Sequence, residues 1–488
     1  MKIHLKRFHL FSIVVLVVSV SIYAADRLEH PRELTYPELT YSLPEVERVV
    51  LDNGLVVYLR EDRRLPLVDL YAVTKVGGIY DPPEKLGLAN LTGAVMRTGG
   101  TQGKTGDEID EILEFIGASI ETEIDIEKGT ARASCMGKDL DTVLPLFAEI
   151  LMRPEFREDK IDLRKKEVME GIRRRNDQPR DIVSREFRQL VYGDHPYARA
   201  LEGEPDTVAS IARNDLLDFH KRYYSPNNTI IGVSGDFNRD EMLDRLRNCL
   251  GEWARQEVPF PDIPPLPEEN IPAGGVYCYP KDLTQSNIRF GHLGIRRTDE
   301  DYIPVRIMNF ILGGGSFTSR LITKVRSDEG LAYSVYSYFD PARDRGLFIA
   351  HAETKAESTI HALDLMKGEI QRICEEIVTE DELKTAKDSY LNRFVFNFTR
   401  TRDIVQQRVD LEYDGLPADY LDTFCEKVSQ VTREDILRVA KKWLHADSLV
   451  ILVVGDEKKF DGSLSQFGPV QVLDVRDYAA EVDAAQNR

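Results

Sequence analysis

The stretch IARNDLLDFHKRYYSPNNTIIGVSGD at residues 211–236 can be laid over VTREDILRVAKKWLHADSLVILVVGD at 431–456 without a gap. Arg213, Asp215, Leu217, Lys221, Gly235 and Asp236 then meet Arg433, Asp435, Leu437, Lys441, Gly455 and Asp456, 220 residues further on. Each copy reads as a capped amphipathic helix, a turn and a β-branched strand closed by Gly-Asp. A match of this length restricts the fold more than any other feature, because it predicts one α+β domain present twice. The length of 488 residues agrees, being too great for a single core. Between the copies, Pro259, Pro261, Pro264, Pro265, Pro267 and Pro272 predict an extended, semi-rigid connector.

The expected organisation is an N-terminal domain at 40–255, a connector at 256–275, a C-terminal domain at 276–465 and a tail at 466–488. RVVLDNGLVVYLRED has two alternating apolar runs around Asn53-Gly54, a hairpin signal, and LVDLYAVTKVGG adds a further strand. DEIDEILEFIGAS and ESTIHALDLMKGEIQRICEEI follow the strands of their halves, with acids early and apolar residues at helical spacing. The economical architecture is α+β: two homologous domains, each an antiparallel-rich sheet with helices packed on one face.

Composition excludes some classes. Hydrophobic residues make up 42% and charged residues 30%, as in a globular chain, and the formal net charge of −19 leaves no basic block for nucleic acid. The N-terminus carries Lys2, Lys6 and Arg7 ahead of the apolar HLFSIVVLVVSVSIYAAD. This predicts a cleaved signal peptide over 1–24, hence export and no integral span afterwards, with an uncleaved anchor as the alternative. Cys135, Cys249, Cys278, Cys374 and Cys425 are scattered and odd in number, and read as small buried apolar residues rather than a disulfide framework.

Six blocks carry a family pattern: LDNGLVVYLRE, GLANLTGAVMRTGGT, YGDHPYARALEGEPDTVASI, FHKRYYSPNNTIIGVSGD, LGGGSFTSRL and VRSDEGLAYSVYS. In this order they resemble the insulinase/pitrilysin-like (M16) peptidase family in its short two-domain bacterial form, over roughly residues 45–460. The resemblance implies that active members hold zinc through HxxEH on the helix corresponding to GLANLTGAV. Two histidines at i and i+4 share a helix face and reach one ion, and the glutamate between them activates the metal-bound water. A further glutamate on a later helix completes the site.

Here Asn90 and Ala94 stand in the histidine places and Gly93 in the place of the base. Aligning RKKEVMEGIRRRNDQP by Pro179 puts Gly171 where the last ligand belongs, with Glu170 turned about 100° away. Gly93 in mid-helix has no evident local advantage, since glycine there costs about 1 kcal/mol against alanine. No two of His30, His195, His220, His292, His351, His361 and His445 stand at helical chelate spacing, and no GxSxG is present. His195 reads as structural and the others as satisfied or exposed. No metal is expected on this chain.

In KVRSDEGLAYSVYSYF, Arg326 and Tyr333 are seven apart. Spacing alone favours strand aromatics (Tyr333, Tyr336, Tyr338) and a solvated helix end, but the GLAY context and the upstream LGGGSFTSRL resemble the family's Arg/Tyr pair. That pair faces a zinc site and donates to the scissile carbonyl as charge develops on it. Gly313, Gly314 and Gly315 read as a flexible turn that lets a partner or peptide approach the backbone. The resemblance therefore implies a non-catalytic subunit, half of a clamshell, inactive alone. It would supply Arg326 and Tyr333 to an HxxEH-containing M16 partner that holds the zinc and cleaves peptides, in the periplasm if the cell has two membranes. The alternatives are a peptidase-derived scaffold or peptide-binding protein without chemistry, and an active enzyme with an unrecognised site.

Overall fold

The computed structural model describes residues 42–267 and 274–487; the expected leader at 1–24 and residues 268–273 of the connector lie outside them. Asn53-Gly54 turns the chain between β1 (Glu47–Val50) and β2 (Val56–Glu61), with Gly54 at φ 87° and Asn53 Oδ1 accepting from Leu55 N at 3.2 Å. With β3 (Leu67–Thr74), β4 (Ser119–Ile124), β5 (Gly129–Met136) and β6 (Thr229–Gly235) they form a sheet ordered β1-β2-β6-β3-β5-β4. Only the β2–β6 pair is parallel. The first-half helices are α1 (Leu88–Thr98), α2 (Gly106–Ile116), α3 (Leu140–Met152), α4 (Glu158–Arg173), α5 (Pro179–Tyr192), α6 (Pro205–Ser210), α7 (Arg213–Tyr223) and α8 (Arg239–Leu250).

The second half repeats the plan. β7 (Gly275–Pro280), β8 (Gln285–Leu293), β9 (Ala332–Asp340), β10 (Leu347–Lys355), β11 (Val450–Gly455) and β12 (Val470–Val472) are ordered β12-β7-β11-β8-β10-β9. Thus β2-β6-β3-β5-β4 corresponds strand for strand to β7-β11-β8-β10-β9. The helices are α9 (Tyr302–Asn309), α10 (Thr359–Glu375), α11 (Glu380–Phe394), α12 (Thr401–Tyr413), α13 (Tyr420–Gln430), α14 (Arg433–Trp443) and α15 (Tyr478–Gln486). The repeated segments of the sequence are α7 with β6 and α14 with β11. Thr432 caps α14 through Asp435 N, and Asp215 accepts from Ala212 N at the start of α7.

One face of each sheet carries its own helices: Leu91, Val95, Phe147, Leu216 and Leu246 enter the first core, and Met308, Leu363, Ile370, Ile436 and Val439 the second. The opposite faces are covered by exchange. α5 from the first half sets Ile182, Val183, Phe187 and Val191 on Leu452, Val454 and Ile349 of the second sheet. α12 from the second half sets Val405 and Val409 on Tyr58, Tyr71 and Val73 of the first. Gly232 allows this contact, since a β-carbon there would lie 2.6 Å from Val405 Cγ1. Each such side chain contributes on the order of 1.5–3 kcal/mol by leaving water, so the exchange fastens the halves together.

The connector runs extended along the body, held by Leu266 N to Asp344 Oδ2 at 2.9 Å and by Arg345 Nη1 to the Pro267 carbonyl at 2.6 Å. The residues expected to be a tail are not one. β12 adds a parallel strand beside β7, and α15 returns to the first half, where Tyr478 and Val482 are buried in its core. Among the described residues no helix is long and apolar enough to cross a membrane.

Candidate functional site

α1 begins where the buried Asp81 carboxylate accepts from the backbone N–H groups of Gly87 and Ala89, both at 2.9 Å. Burial pushes this carboxyl up to about 7 against those hydrogen bonds. The helix places Asn90 and Ala94 on one face, half-buried, and Gly93 against β4. A β-carbon on Gly93 would fall 2.3 Å from the backbone nitrogen of Ile124, and the Gly93 carbonyl accepts from Thr122 Oγ1 at 2.7 Å. The expectation that nothing favours glycine there is therefore corrected, because β4 backbone occupies the volume a side chain would need. No carboxylate side chain fits at position 93, where the resemblance would put the general base.

Gly171, on α4, has no atom within 4 Å of its β-carbon position and faces a cavity of about 840 Å³ between the halves. Glu170 beside it is turned to the helix surface, accepting from Arg174 Nε at 2.7 Å. Among the described residues no three His, Cys, Asp or Glu side chains gather as a metal site. Asn90, Gly93, Ala94 and Gly171, the residues that the resemblance assigns to the zinc site, do not fit the ion.

The second half arranges its predicted residues differently. β9 is the edge strand of its sheet, and its register against β10 jumps between Glu353–Ser334 and Thr354–Ala332. Tyr333 is the extra residue of this β-bulge, a device that re-aims a side chain, and it is 82% exposed. The Arg326 guanidinium lies 5.0 Å from the Tyr333 ring centre and 4.9 Å from that of Phe317. Stacking between two rings, worth about 0.5–1 kcal/mol each at an exposed site, fixes the outward phenol. Phe317 follows Ser316, whose φ of 52° is in the left-handed region that non-glycine residues rarely adopt.

Arg326 and Tyr333 border a groove of about 610 Å³, whose lining includes Gly313 and Gly314 but not Gly315. The glycine run, expected to be a flexible turn that lets a partner or peptide approach, is built differently. Phe310–Gly314 form a π-helical turn, and a β-carbon on Gly313 would sit 2.4 Å from Ser337 Oγ and 2.5 Å from Ser337 N. The close approach that glycine allows is to the chain's own β9. Inside the groove, Arg306 is enclosed by the rings of Tyr302, Tyr390 and Phe424 at 5.5, 4.9 and 5.7 Å.

His195 caps the turn at Pro196–Ala198, with Nδ1 accepting from Tyr197 N at 3.2 Å and Nε2 bonding the Pro264 carbonyl at 2.9 Å. Burial lowers its pKa, so it pins the connector as a neutral ring. His220 and His292 are bonded to the carbonyls of Leu151 and Leu293, and His361 is half-exposed. His351 departs from expectation, being fully buried with neither ring nitrogen in a hydrogen bond. All five cysteines are free. Sequence reasoning passed over Phe317, though an aromatic directly after glycines and serine was a visible signal.

Residues 56–204 match the family model described as insulinase (peptidase family M16), and residues 210–390 match that of the peptidase M16 inactive domain. A Rickettsia felis protein named an uncharacterized zinc protease is 25% identical over 403 residues, 80% of this chain and 93% of its own. A Helicobacter pylori protein named a non-peptidase homolog is 24% identical over 414 residues, 83% of this chain and 92% of its own. The crystal structure of a peptidase M16 inactive domain from Pseudomonas fluorescens has a TM-score of 0.78 at 28% identity, covering 85% of this chain and 98% of that one.

Proposed function

Because the chain belongs to the M16 peptidase family, in its two-domain form without HxxEH, we propose that it is the non-catalytic subunit of a two-chain zinc peptidase. It binds peptide and presents Arg326 and Tyr333 to the zinc site of an HxxEH-containing M16 partner. The observation that carries this reading is the bulge in β9. It turns Tyr333 out of the sheet, and Arg326 holds the ring there by stacking. A packed scaffold has no use for an exposed phenol fixed in this way. Tyr333 would donate its hydroxyl hydrogen to the scissile carbonyl oxygen as charge builds up, while Arg326 keeps the ring in place and adds positive potential.

The zinc, its ligands and the attacking water belong to the partner, since the volume next to Gly93 is filled by β4. The basic and apolar stretch at 1–24 supports export, to the periplasm of a cell with two membranes. The test is to mix this chain with a two-domain HxxEH-containing M16 chain from the same genome. Mass and peptide cleavage are then measured for each chain alone and for the mixture. A heterodimer that cleaves, with each chain inactive alone, supports the reading. Chelator-sensitive cleavage by this chain alone would sink it.

A further inference from the structure

Beneath α5, one row of paired residues crosses the second sheet as Tyr336, His351, Arg289, Leu452 and Tyr277, and the next as Ser334, Glu353, Asn287, Val454 and Tyr279. Directly paired residues share a face. Where the apolar contacts of α5 give way, this face buries five polar atoms that have no hydrogen-bond partner: Arg289 Nε, Asn287 Oδ1, Tyr279 Oη and both ring nitrogens of His351. Buried polar atoms are almost always paired. So many orphans on one face of one sheet mark a place for something the chain does not itself provide.

Arg289 shows what is missing. It is 6% exposed, and among the described residues it forms no ion pair. The groups that bear on its charge are the phenols of Tyr338 and Tyr336 and the cations of Arg180 and Arg188. Arg180 is engaged with Tyr336 Oη, to which its Nη2 donates at 3.2 Å. Glu353 Oε1 stands 3.5 Å from His351 Nε2, and Glu186 on α5 is bonded to Arg185 at 2.8 Å; neither pairs with Arg289. Arg306, half-buried and also without a carboxylate, is enclosed by aromatic rings, whereas among the described residues no ring lies over Arg289. A buried guanidinium with neither counter-charge nor ring is strongly disfavoured unless an anion arrives.

The corner is accessible to a ligand. Arg289, Arg188 and Tyr338 line the cavity of about 840 Å³ that Gly171 faces, and Tyr338 also lines the groove of Arg326 and Tyr333. Along β9, Tyr336 stands three residues from Tyr333, roughly 10 Å in an extended strand. We propose that Arg289, with Arg188 and the Tyr338 hydroxyl beside it, is a carboxylate-binding subsite that anchors an acidic side chain or the free C terminus of a bound peptide. The inference rests on the peptide-binding part of the function proposed above and gives it a substrate class: peptides with a carboxylate a few residues from the position beside Tyr333. The planar arginine fork suits this group, since it can donate two parallel hydrogen bonds to a carboxylate.

Binding to this chain alone tests the subsite, so its failure is separable from failure of the two-chain reading. Fluorescein-labelled peptides of alanine, serine and glycine are prepared with one internal glutamate or with glutamine in its place. Each is made with a free and with an amidated C terminus, and anisotropy is measured against the full chain. The expected result is binding about tenfold or more tighter for the glutamate peptide, if a side chain is read, or for the free-acid peptide, if the terminus is read. Arg289→Met and, separately, the rim variant Arg188→Gln should remove that discrimination, and Arg289→Lys should restore part of it in place of methionine. Arg289→Met should melt no lower than wild type, because it removes an unpaired buried charge. Equal or undetectable binding of all peptides, or discrimination that survives Arg289→Met, overturns the proposal. So does an Arg289→Met chain that loses assembly with the HxxEH partner while peptide discrimination is absent, since the anion would then come from the partner.

Discussion

The two helices that cross between the halves leave opposite electrostatics beneath them. α12 brings carboxylates over the first sheet: Glu412 accepts from Arg48 Nε at 2.7 Å and Tyr58 Oη at 2.6 Å, and Asp410 accepts from Tyr71 Oη at 3.0 Å and Lys128 Nζ at 3.2 Å. α5 brings Arg180 and Arg188 over a sheet that already presents Arg289 and His351. Burial and the neighbouring Arg289 and Arg180 hold His351 down at about 3, so it stays neutral and adds no countercharge of either sign. The same contrast holds at the edge strands. β4 lies hard against α1 at Gly93, while β9 is bulged to expose Tyr333. The carboxylates of α12 are paired within the chain, whereas Arg289 Nε and the His351 ring beneath α5 have no hydrogen-bond partner.

The largest effect that could break this comparison is at the sealed edge. Gly93→Ala forces a methyl group into β4 backbone and should destabilise by about 3 kcal/mol, as overpacking does, read as a lowered midpoint in urea. Installing histidines at 90 and 94 and glutamate at 93 together should yield no stoichiometric zinc by atomic absorption. A folded, zinc-loaded triple variant would show that the first half is not closed.

The next effect is at α12. Glu412→Gln leaves Arg48 without its charge partner and should lose about 1 kcal/mol, because solvent screens a pair whose arginine is nearly half exposed. The Arg48 hydrogen bond holds Glu412 below its ordinary 4.5 against the opposing effect of burial. A depressed carboxyl contributes stability that is complete above that value and lost as pH falls through the folded-state value. Wild type should therefore lose stability below about pH 4.5 more steeply than Glu412→Gln. Parallel pH profiles would show that α12 does not hold the first sheet by charge.

Smaller effects sharpen the open side. Gly171→Ala enters free space in a helix and should stabilise by about 0.5–1 kcal/mol, the reverse of Gly93→Ala although the resemblance assigns both positions to the zinc site. Tyr333→Phe should leave the melting temperature within a degree or so of wild type, because nothing packs around the exposed hydroxyl. A clear loss of stability would make Tyr333 a structural residue.

Much of this was legible in the sequence. The duplication showed because a capped helix running into a β-branched strand is a local pattern, and α7–β6 and α14–β11 keep it residue by residue. The exchanged helices did not show, because which sheet a helix covers is a tertiary matter, yet a trace was there. Arg180-Asp181-Ile182-Val183 recurs as Arg402-Asp403-Ile404-Val405 at the start of α12. The apolar spacing of Tyr478, Val482 and Ala485 was a trace of the same kind for the helix at the end of the chain, passed over when 466–488 was expected to be a tail. Gly93 was misjudged because helix propensity counts only the local cost of glycine, whereas the position is set by a strand far away in the sequence. The unpaired state of Arg289 has no sequence signal, since it depends on what surrounds the side chain in space.

In the proposed function this chain completes a partner's active site through Tyr333. The most direct measurement is the kcat and KM of peptide cleavage by the mixture with the HxxEH-containing chain, comparing wild type with Tyr333→Phe at equal heterodimer concentration. Loss of a donor used only in the transition state predicts kcat lower by about a hundredfold with KM little changed. Unchanged kcat, or a partner as active alone as in the mixture, would contradict the claim.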